Sequence, residues 1–595
     1  MIRTPLRPLA RIIAARQTGE NPDAIERENL RKRHEQMRDR ARQSAESRLL
    51  VMGAFLLLAF TLVGVRMGTL AASEPVEPRA SAAGAAILAE RADIVDRQGR
   101  ILATNFVTNS LYAQPPLMID KMRAAQALVE IFPDLEEEKL VKAFTGDRKF
   151  IWIKKRMSPE QMQQVHDIGD PGLLFGPREM RLYPNGRLAA HVLGGSSFGR
   201  EGVHAAEIIG VAGVEKEFDA ELRDPARGDA PLELALDLSV QAATEQVLYG
   251  GMKLLNAKGA AAVLLDVNTG EVISLVSLPD FDPNTRPLPA LKGAPDDSPL
   301  FNRAVQGLYE LGSVFKAFTI ANALDQDIVQ PDTNIDTKGP LRWGRFKIRD
   351  FRNYGNNLSV SDIVVKSSNI GTARIAMEIG ADEQQRFLGA LGLLEPTRIE
   401  LVEGKNANPL RPKNWSEIST MTISYGHGLS SSPLHLAAAY ATLANGGTRV
   451  QPTLLKVDGP QRGERVISQE TSREIMEMLR KVVTKGTASF GDVPGYAVGG
   501  KTGTADKPKR EGGGYYEDRV IATFASAFPA DDPKYVLVVS LDEPTEDSGD
   551  EPRRTAGWTA VPVAAEIIAR VAPLLGLRPQ IEKAPEDTIT LAAHH

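Results

Sequence analysis

Ser313 and Lys316 stand three residues apart in the stretch YELGSVFKAF, just after a glycine and at the start of an apolar, helix-patterned segment. On a helix that spacing puts both side chains on one face, so the amine can reach the hydroxyl. Serine is a poor nucleophile at neutral pH, but a lysine kept neutral by burial and a neighbouring positive charge can take its proton. The unpaired N–H groups of a helix N-terminus also favour charge developing on the serine oxygen. Alone the pair decides little, because S-x-x-K turns up roughly once or twice by chance in a chain of this length. Two further motifs change that. KSSNIG supplies Ser367, Ser368 and Asn369, and AVGGKTGTA supplies Lys501, Thr502, Gly503 and Thr504. A K-T-G triplet alone occurs by chance in roughly one such chain in seven, and all three motifs in this order far less often. That order leaves chance a poor account of the Ser313–Lys316 pair, which has the makings of a serine nucleophile with a lysine base.

These residues must be held by regular structure. AAAVLLDVNTGEVISLVSLP reads as a hairpin turned at Asn268-Thr269-Gly270, and a second strand pair follows in VIATFASAFPADDPKYVLVVSLDEP, after the K-T-G stretch. Between them lie helical patterns, SVFKAFTIANAL and SPLHLAAAYATLAN, and AVPVAAEIIARVAPLL follows the second pair. Hairpins around a helical middle predict an α+β domain, a mixed sheet with helices packed on it and no doubly wound order. A region before it, about 89 to 230, alternates short apolar runs with turn signals such as DRQGR and YPNGR and shows no reaction site.

Leu49 to Val65, LLVMGAFLLLAFTLVGV, carries no charge; as a helix continued to Leu70 it would rise about 33 Å, enough to cross a bilayer. The residues before it hold twelve Lys or Arg against seven Asp or Glu, and SEPVEP beyond it is acidic. The positive-inside rule puts the N-terminus in the cytoplasm and the rest outside. A cleaved signal peptide is disfavoured by the long N-terminal segment. Asn21 reads as a helix cap with Pro22 at the first position and a Glu28–Lys32 pair, and PLRPLARIIAAR could lie on anionic lipid or dock a partner. A chain of 595 residues with formal net charge −5 and no cysteine shows no signature of nucleic-acid binding, thiol chemistry or thiolate metal sites.

S-x-x-K, S-x-N and K-T-G in this order are similar to the signature of penicillin-binding proteins and serine β-lactamases. RADIVDRQGRILAT resembles the opening motif of class B penicillin-binding proteins, with Ala92 where glycine is usual, and RLYPNGRLAAHVLG and GVAGVEKEFDAEL resemble the next two motifs of that family's pedestal domain. With SYGHGLSSSPLHLAAAYATLANGG the resemblance runs from residue 89 to about 570; Leu311 and Ala317 stand where the family often has proline. It implies the serine β-lactamase/penicillin-binding transpeptidase fold, an antiparallel sheet flanked by helices. The divisions would be a basic cytoplasmic tail 1–48, a transmembrane helix 49–70, a linker 71–88 with regular structure beginning near Ile87, a non-catalytic (dimerisation) pedestal 89–230, a transpeptidase domain 231–575 and a tail 576–595.

The resemblance also implies roles. Ser313 would attack a stem peptide between its terminal D-alanines and Lys316 would take the proton. Ser367 would relay it to the leaving nitrogen, and Asn369 would orient Lys316 and the substrate amide. Lys501 would lower the pKa of Lys316, Thr502 and Thr504 would bind the terminal carboxylate beside Gly503, and the N–H groups of Ser313 and Ala505 would form the oxyanion hole. Gly499, Gly500 and Gly503 would admit an extended substrate, unless they serve strand packing alone. No cofactor or metal is implied. Expected partners are peptidoglycan stem peptides, β-lactams as inhibitors, and a membrane-embedded glycan polymerase (FtsW-type) with other division proteins, in a bacterial inner membrane. The division-specific, FtsI-type subtype is favoured over the elongation-specific one, with a penicillin-sensing receptor or β-lactamase-like hydrolase as rivals. His427, Tyr309, Glu310 and the acidic run Glu543, Glu546, Asp547, Asp550 read as structural or solvated, and Asp96, Arg97 and Arg181 as ion-pair partners that hold the pedestal.

Overall fold

The computed structural model describes residues 7–19, 21–72, 91–201, 206–228, 230–289, 291–461, 463–510 and 512–580. The expected start near Ile87 lies outside them; the first described strand is Ile94–Val95. At the N-terminus, helix Arg7–Thr18 is followed by a single 51-residue helix, Pro22–Ala72. Asn21 Oδ1 accepts from Asp23 N at 3.0 Å and caps it, and Lys32 pairs with Glu28 at 2.5 Å. Its segment Arg48–Met67 has a mean hydropathy of 2.2 and none of it is covered by other parts of the chain. A 20-residue segment that is apolar but for Arg48 and Arg66 near its ends, left bare in this way, suits a hydrocarbon surround.

The pedestal is built on one long strand, Ile101–Ala113, flanked by antiparallel neighbours Ile151–Met157 and Leu173–Leu182. Three helices, Lys121–Ile131, Glu137–Thr145 and Pro159–Ile168, close a separate core around Leu111, Leu128, Phe144 and Val165. The DRQGR turn forms as read: Asp96 accepts from the N–H groups of Gln98 (2.9 Å) and Arg100 (2.8 Å), and Gly99 takes φ +80°. The same turn grips the next domain. Asp96 Oδ2 accepts from Leu238 N at 3.0 Å, while Asp237, which caps helix Leu238–Leu254, accepts from Gln98 (2.8 Å) and Arg100 (2.9 Å). Arg97 pairs with Glu271 at 3.2 Å, also across the junction. Strand Leu232–Glu233 pairs in parallel with Ile94–Val95, and Ala235 N already donates to Leu454 O at 2.7 Å in the larger domain.

That domain holds a five-stranded sheet in the order Gly499–Pro508, Tyr515–Phe528, Tyr535–Asp542, Gly259–Asp266, Val272–Leu278. Both expected hairpins form, and every pairing is antiparallel, which corrects the mixed sheet read from the helix and strand pattern and agrees with the antiparallel sheet that the resemblance implied. The two hairpins join edge to edge through Tyr535–Asp542 and Gly259–Asp266, and no crossover helix is needed to bring strands together. Helices Leu238–Leu254 and Ala560–Leu574 pack on one face, and the wholly buried helix Pro433–Ala444 packs on the other.

Inside the pedestal, Glu215 is fully buried between Arg91 Nε and Arg181 Nε, each at 2.7 Å, and Arg91 also pairs with Asp219 at 2.8 Å. Arg181 and Asp96 therefore act as the ion-pair partners expected of them, and Glu215 is the centre that the sequence did not single out. Removing one partner of a buried pair leaves uncompensated charge. Glu215→Gln should lower the unfolding free energy by about 3–5 kcal/mol in urea denaturation, while the folded fraction keeps its active-site reactivity.

Candidate active site

Ser313 sits in a 3₁₀ turn, Gly312–Phe315, that runs directly into helix Lys316–Asp325. Its height in the cleft is set by backbone contacts that leave no room for a side chain. Gly312 takes φ +64° and donates to Gly426 O at 3.2 Å, and a Cβ on Gly312 would lie 2.7 Å from Thr504 O. A Cβ on Gly503 would overlap the Leu311 carbonyl. From below, Tyr440 in the buried helix Pro433–Ala444 donates to Val314 O at 2.8 Å and packs edge-on against Phe318. Ser313 is half-buried, and its hydroxyl has no hydrogen-bond partner among the described residues.

One turn on, Lys316 is fully buried and donates to Ser367 O (2.6 Å) and Ser367 Oγ (3.0 Å). Lys501, also fully buried, reaches the same Ser367 Oγ at 3.0 Å and Thr502 O at 3.1 Å. Ser367 ends helix Val360–Lys366 in the left-handed region, φ +63°, a conformation that costs a non-glycine residue about 1–3 kcal/mol. That strain turns its carbonyl and hydroxyl together onto the amines. Burial holds the Lys316 pKa well below the usual lysine value; the charge of Lys501 lowers it further, and Asp350 opposes both. Burial pushes Lys501 down to about 7.

The next two residues of the motif face elsewhere. Ser368 caps helix Asn369–Ile379 by accepting from Gly371 N at 3.1 Å, and donates to Asp350 Oδ2 at 2.7 Å. Asp350 Oδ1 accepts from Asn369 N (2.6 Å) and Ile370 N (3.0 Å). Asn369 Nδ2 donates to Arg349 O at 2.9 Å and makes no bond to Lys316. This corrects the expectation that it orients that lysine; the backbone of Ser367 does so instead. Asp350 was missed in the sequence, where it is a lone carboxylate in a loop before the motif.

The K-T-G strand is the outer edge of the sheet. Glu543 N donates to Val520 O at 2.9 Å, so Val520 faces the inner strand and, by antiparallel alternation, Ile521 faces the K-T-G strand. Ala505, the partner of Ile521, therefore spends its N–H in the ladder. The N–H expected at Ala505 is thus not open to the cleft, and the N–H on the strand's outward edge, which meets Gly312 beside Ser313, is that of Thr504. Thr502 Oγ1 shares a 2.7 Å hydrogen bond with Thr487 Oγ1. Thr504 Oγ1 accepts from Ala556 N at 3.0 Å, leaving its own proton to donate. Gly500 and Gly503 serve packing inside the protein, against the Phe524 ring and the Leu311 carbonyl respectively.

At the rim, Glu310 accepts from Gly428 N (2.9 Å) and the Tyr515 hydroxyl (3.0 Å), and Tyr309 exchanges backbone bonds with Ser431. The His427 ring packs against Tyr425, and burial lowers its pKa, with Glu310 and Asp506 opposing. In the acidic run, Glu543 and Glu546 are not merely solvated but pair with Lys507 (2.7 Å) and Arg553 (3.5 Å).

Because the serine turn is located by these close approaches, Gly503→Ala should displace it and slow acylation by a β-lactam roughly 10²-fold, the penalty typical of an ångström-scale misplacement. Gly250→Ala, where a Cβ meets nothing within 4 Å, should leave the rate unchanged in the same stopped-flow assay.

Comparison with known proteins agrees with this geometry. Residues 260–569 match the penicillin binding protein transpeptidase domain and residues 86–227 the penicillin-binding protein dimerisation domain. The chain is 35% identical over 564 residues to the probable peptidoglycan D,D-transpeptidase FtsI of Caulobacter vibrioides, covering 92% of each. It is 33% identical to the probable peptidoglycan D,D-transpeptidase PenA of Neisseria meningitidis, covering 77% of this chain and 80% of the relative. The apo transpeptidase domain of Burkholderia pseudomallei penicillin-binding protein 3 superposes with a TM-score of 0.51 at 34% identity, over 58% of this chain and 98% of that one. A catalytic domain built on the three motifs and a pedestal joined to it by charged pairs place this chain in the class B penicillin-binding protein family.

Proposed function

We propose that this class B penicillin-binding protein acts as a peptidoglycan D,D-transpeptidase with Ser313 as the acyl-accepting nucleophile. The observation that carries the reading is the pair of fully buried lysines sharing the Ser367 hydroxyl, one helical turn from a half-exposed serine whose own hydroxyl is unengaged. In the first step Ser313 Oγ attacks the carbonyl carbon of the penultimate D-alanine, and its proton passes to the neutral amine of Lys316. The N–H groups of Ser313 and Thr504 receive the oxyanion. Collapse breaks the C–N bond; the proton returns from Lys316 through Ser367 to the departing D-alanine nitrogen. An amine of a second stem peptide then attacks the ester, loses a proton along the same path, and restores Ser313.

Lys501 and the hydroxyls of Thr502 and Thr504 hold the terminal carboxylate, and Asn369 Oδ1, without a partner among the described residues, accepts from the substrate amide. Twelve basic residues before the apolar helix support a cytoplasmic N-terminus with both domains on the far face of the inner membrane. The pedestal then contacts a membrane-embedded glycan polymerase, and the work is done at the division septum. Mid-cell location of a fluorescent fusion tests that assignment against an elongation role.

Fluorescent penicillin should label the full-length protein stably, and Ser313→Ala should abolish labelling; retained labelling would sink the nucleophile assignment. The pH profile has a definite sign. Below the depressed Lys316 pKa the base is protonated and acylation falls; above about 7 the free enzyme loses the Lys501 charge and acylation falls again. The second-order acylation constant should therefore be bell-shaped, with an alkaline limb near neutrality.

A further inference from the structure

Between Thr337 and Asn353 the chain takes part in the chemistry only through Arg349 and Asp350, yet it forms a defined element at the cleft. Strands Leu341–Trp343 and Phe346–Ile348 pair antiparallel, with Trp343 opposite Phe346, and turn at Gly344, φ +55°. The root is firm. Ile348 packs with Ile370, Ala373 and Met421, and Asp350 clamps the first turn of helix Asn369–Ile379. The hairpin thus stands on the same wall that carries Ser367 and Asn369.

Its charge is one-sided. Asp350 is the single carboxylate of the segment, against Lys338, Arg342, Arg345, Lys347, Arg349 and Arg352. Asp350 is spent on helix capping, and the preceding Asp336 is paired with Arg374 at 2.8 Å. The side chains of Arg342, Arg345, Lys347 and Arg352 are exposed, with no carboxylate partner among the described residues. Trp343 and Phe346 are 39% and 45% exposed between them, and Arg345 lies over the Phe346 ring at 5.2 Å. Unneutralised like charges beside open aromatic faces do nothing for the stability of the domain, but they suit a ligand that is both anionic and rich in flat apolar surface.

We propose that this hairpin docks the peptide-bearing glycan strand of the substrate: its cations pair with stem-peptide carboxylates, and Trp343 and Phe346 stack on sugar rings. The inference rests on the transpeptidase reading, which brings such a polymer to this cleft. Charge complementarity selects the occupant, because the strand brought to Ser313 carries stem-peptide carboxylates past a cationic hairpin whose root is bonded to Asn369.

The test uses the full-length protein in detergent and the charge variant R342Q/R345Q/K347Q, with the aromatic variant W343A/F346A beside it. Each is measured for penicillin acylation, for co-sedimentation with purified sacculi, with sacculi stripped of stem peptides, and with phosphatidylglycerol vesicles. The charge variant should acylate at the wild-type rate and bind intact sacculi roughly tenfold more weakly, with a shallower salt dependence. The aromatic variant should weaken binding to stripped glycan as well. If the charge variant does not label, R345Q/K347Q at the turn replaces it. Wild-type binding to sacculi by a variant that still labels would overturn the proposal, and so would wild-type preference for vesicles over sacculi. Failure of the wild type to label would instead overturn the acyl-transfer reading itself.

Discussion

Two amines withdrawn from water around one hydroxyl govern this structure. A buried ammonium is costly unless a carboxylate meets it, and among the described residues neither Lys316 nor Lys501 touches one. Asp350 acts on Lys316 only through space, behind the helix turn it caps. The protein resolves the conflict by letting the pKa values fall, which favours the neutral amine, the form able to accept a proton. That outcome requires a dry, closed floor under the cleft, and the buried helices and sheet of the larger domain supply it.

The same requirement explains why so much of the positioning is done by backbone. A 3₁₀ turn has little strength of its own. Here it is pinned between Gly426, the Thr504 edge and the Tyr440 hydroxyl, contacts that hold to within an atom's width because no Cβ intervenes. One edge strand then carries several tasks: it supplies Lys501, the hydroxyls of Thr502 and Thr504, and an outward N–H from Thr504. Only an edge strand can do this, since an inner strand would spend both of its sides in the ladder.

The pedestal is coupled to this domain both by charge and by a continuous apolar core that takes in Ile94, Leu102, Val192 and Val214 together with Leu236 and Val240. Asp96 and Asp237 each cap a turn on their own side and also receive donors from the other, so the two turns are tied to each other. Directional bonds of this kind set an angle between bodies, which a purely apolar junction would leave freer to slide. Glu215 between Arg91 and Arg181 stiffens the pedestal that receives that angle.

The amino-acid sequence alone determined the chemistry class, the motifs, both hairpins and the apolar helix. These are local properties: S-x-x-K works through helix spacing, the Asn268-Thr269-Gly270 turn through its own dihedrals, and the span through uninterrupted apolarity. Tertiary structure decided which groups meet. It brought Ser367 rather than Asn369 onto Lys316, because a left-handed residue at a helix end redirects its carbonyl in a way no spacing rule reports. It turned the N–H of Thr504 rather than that of Ala505 to the open edge, because the side to which a strand N–H points depends on the partner's register. It also recruited Asp350 and made the sheet wholly antiparallel, because both depend on how distant segments pair, and pairing energy is collected only when the chain has folded.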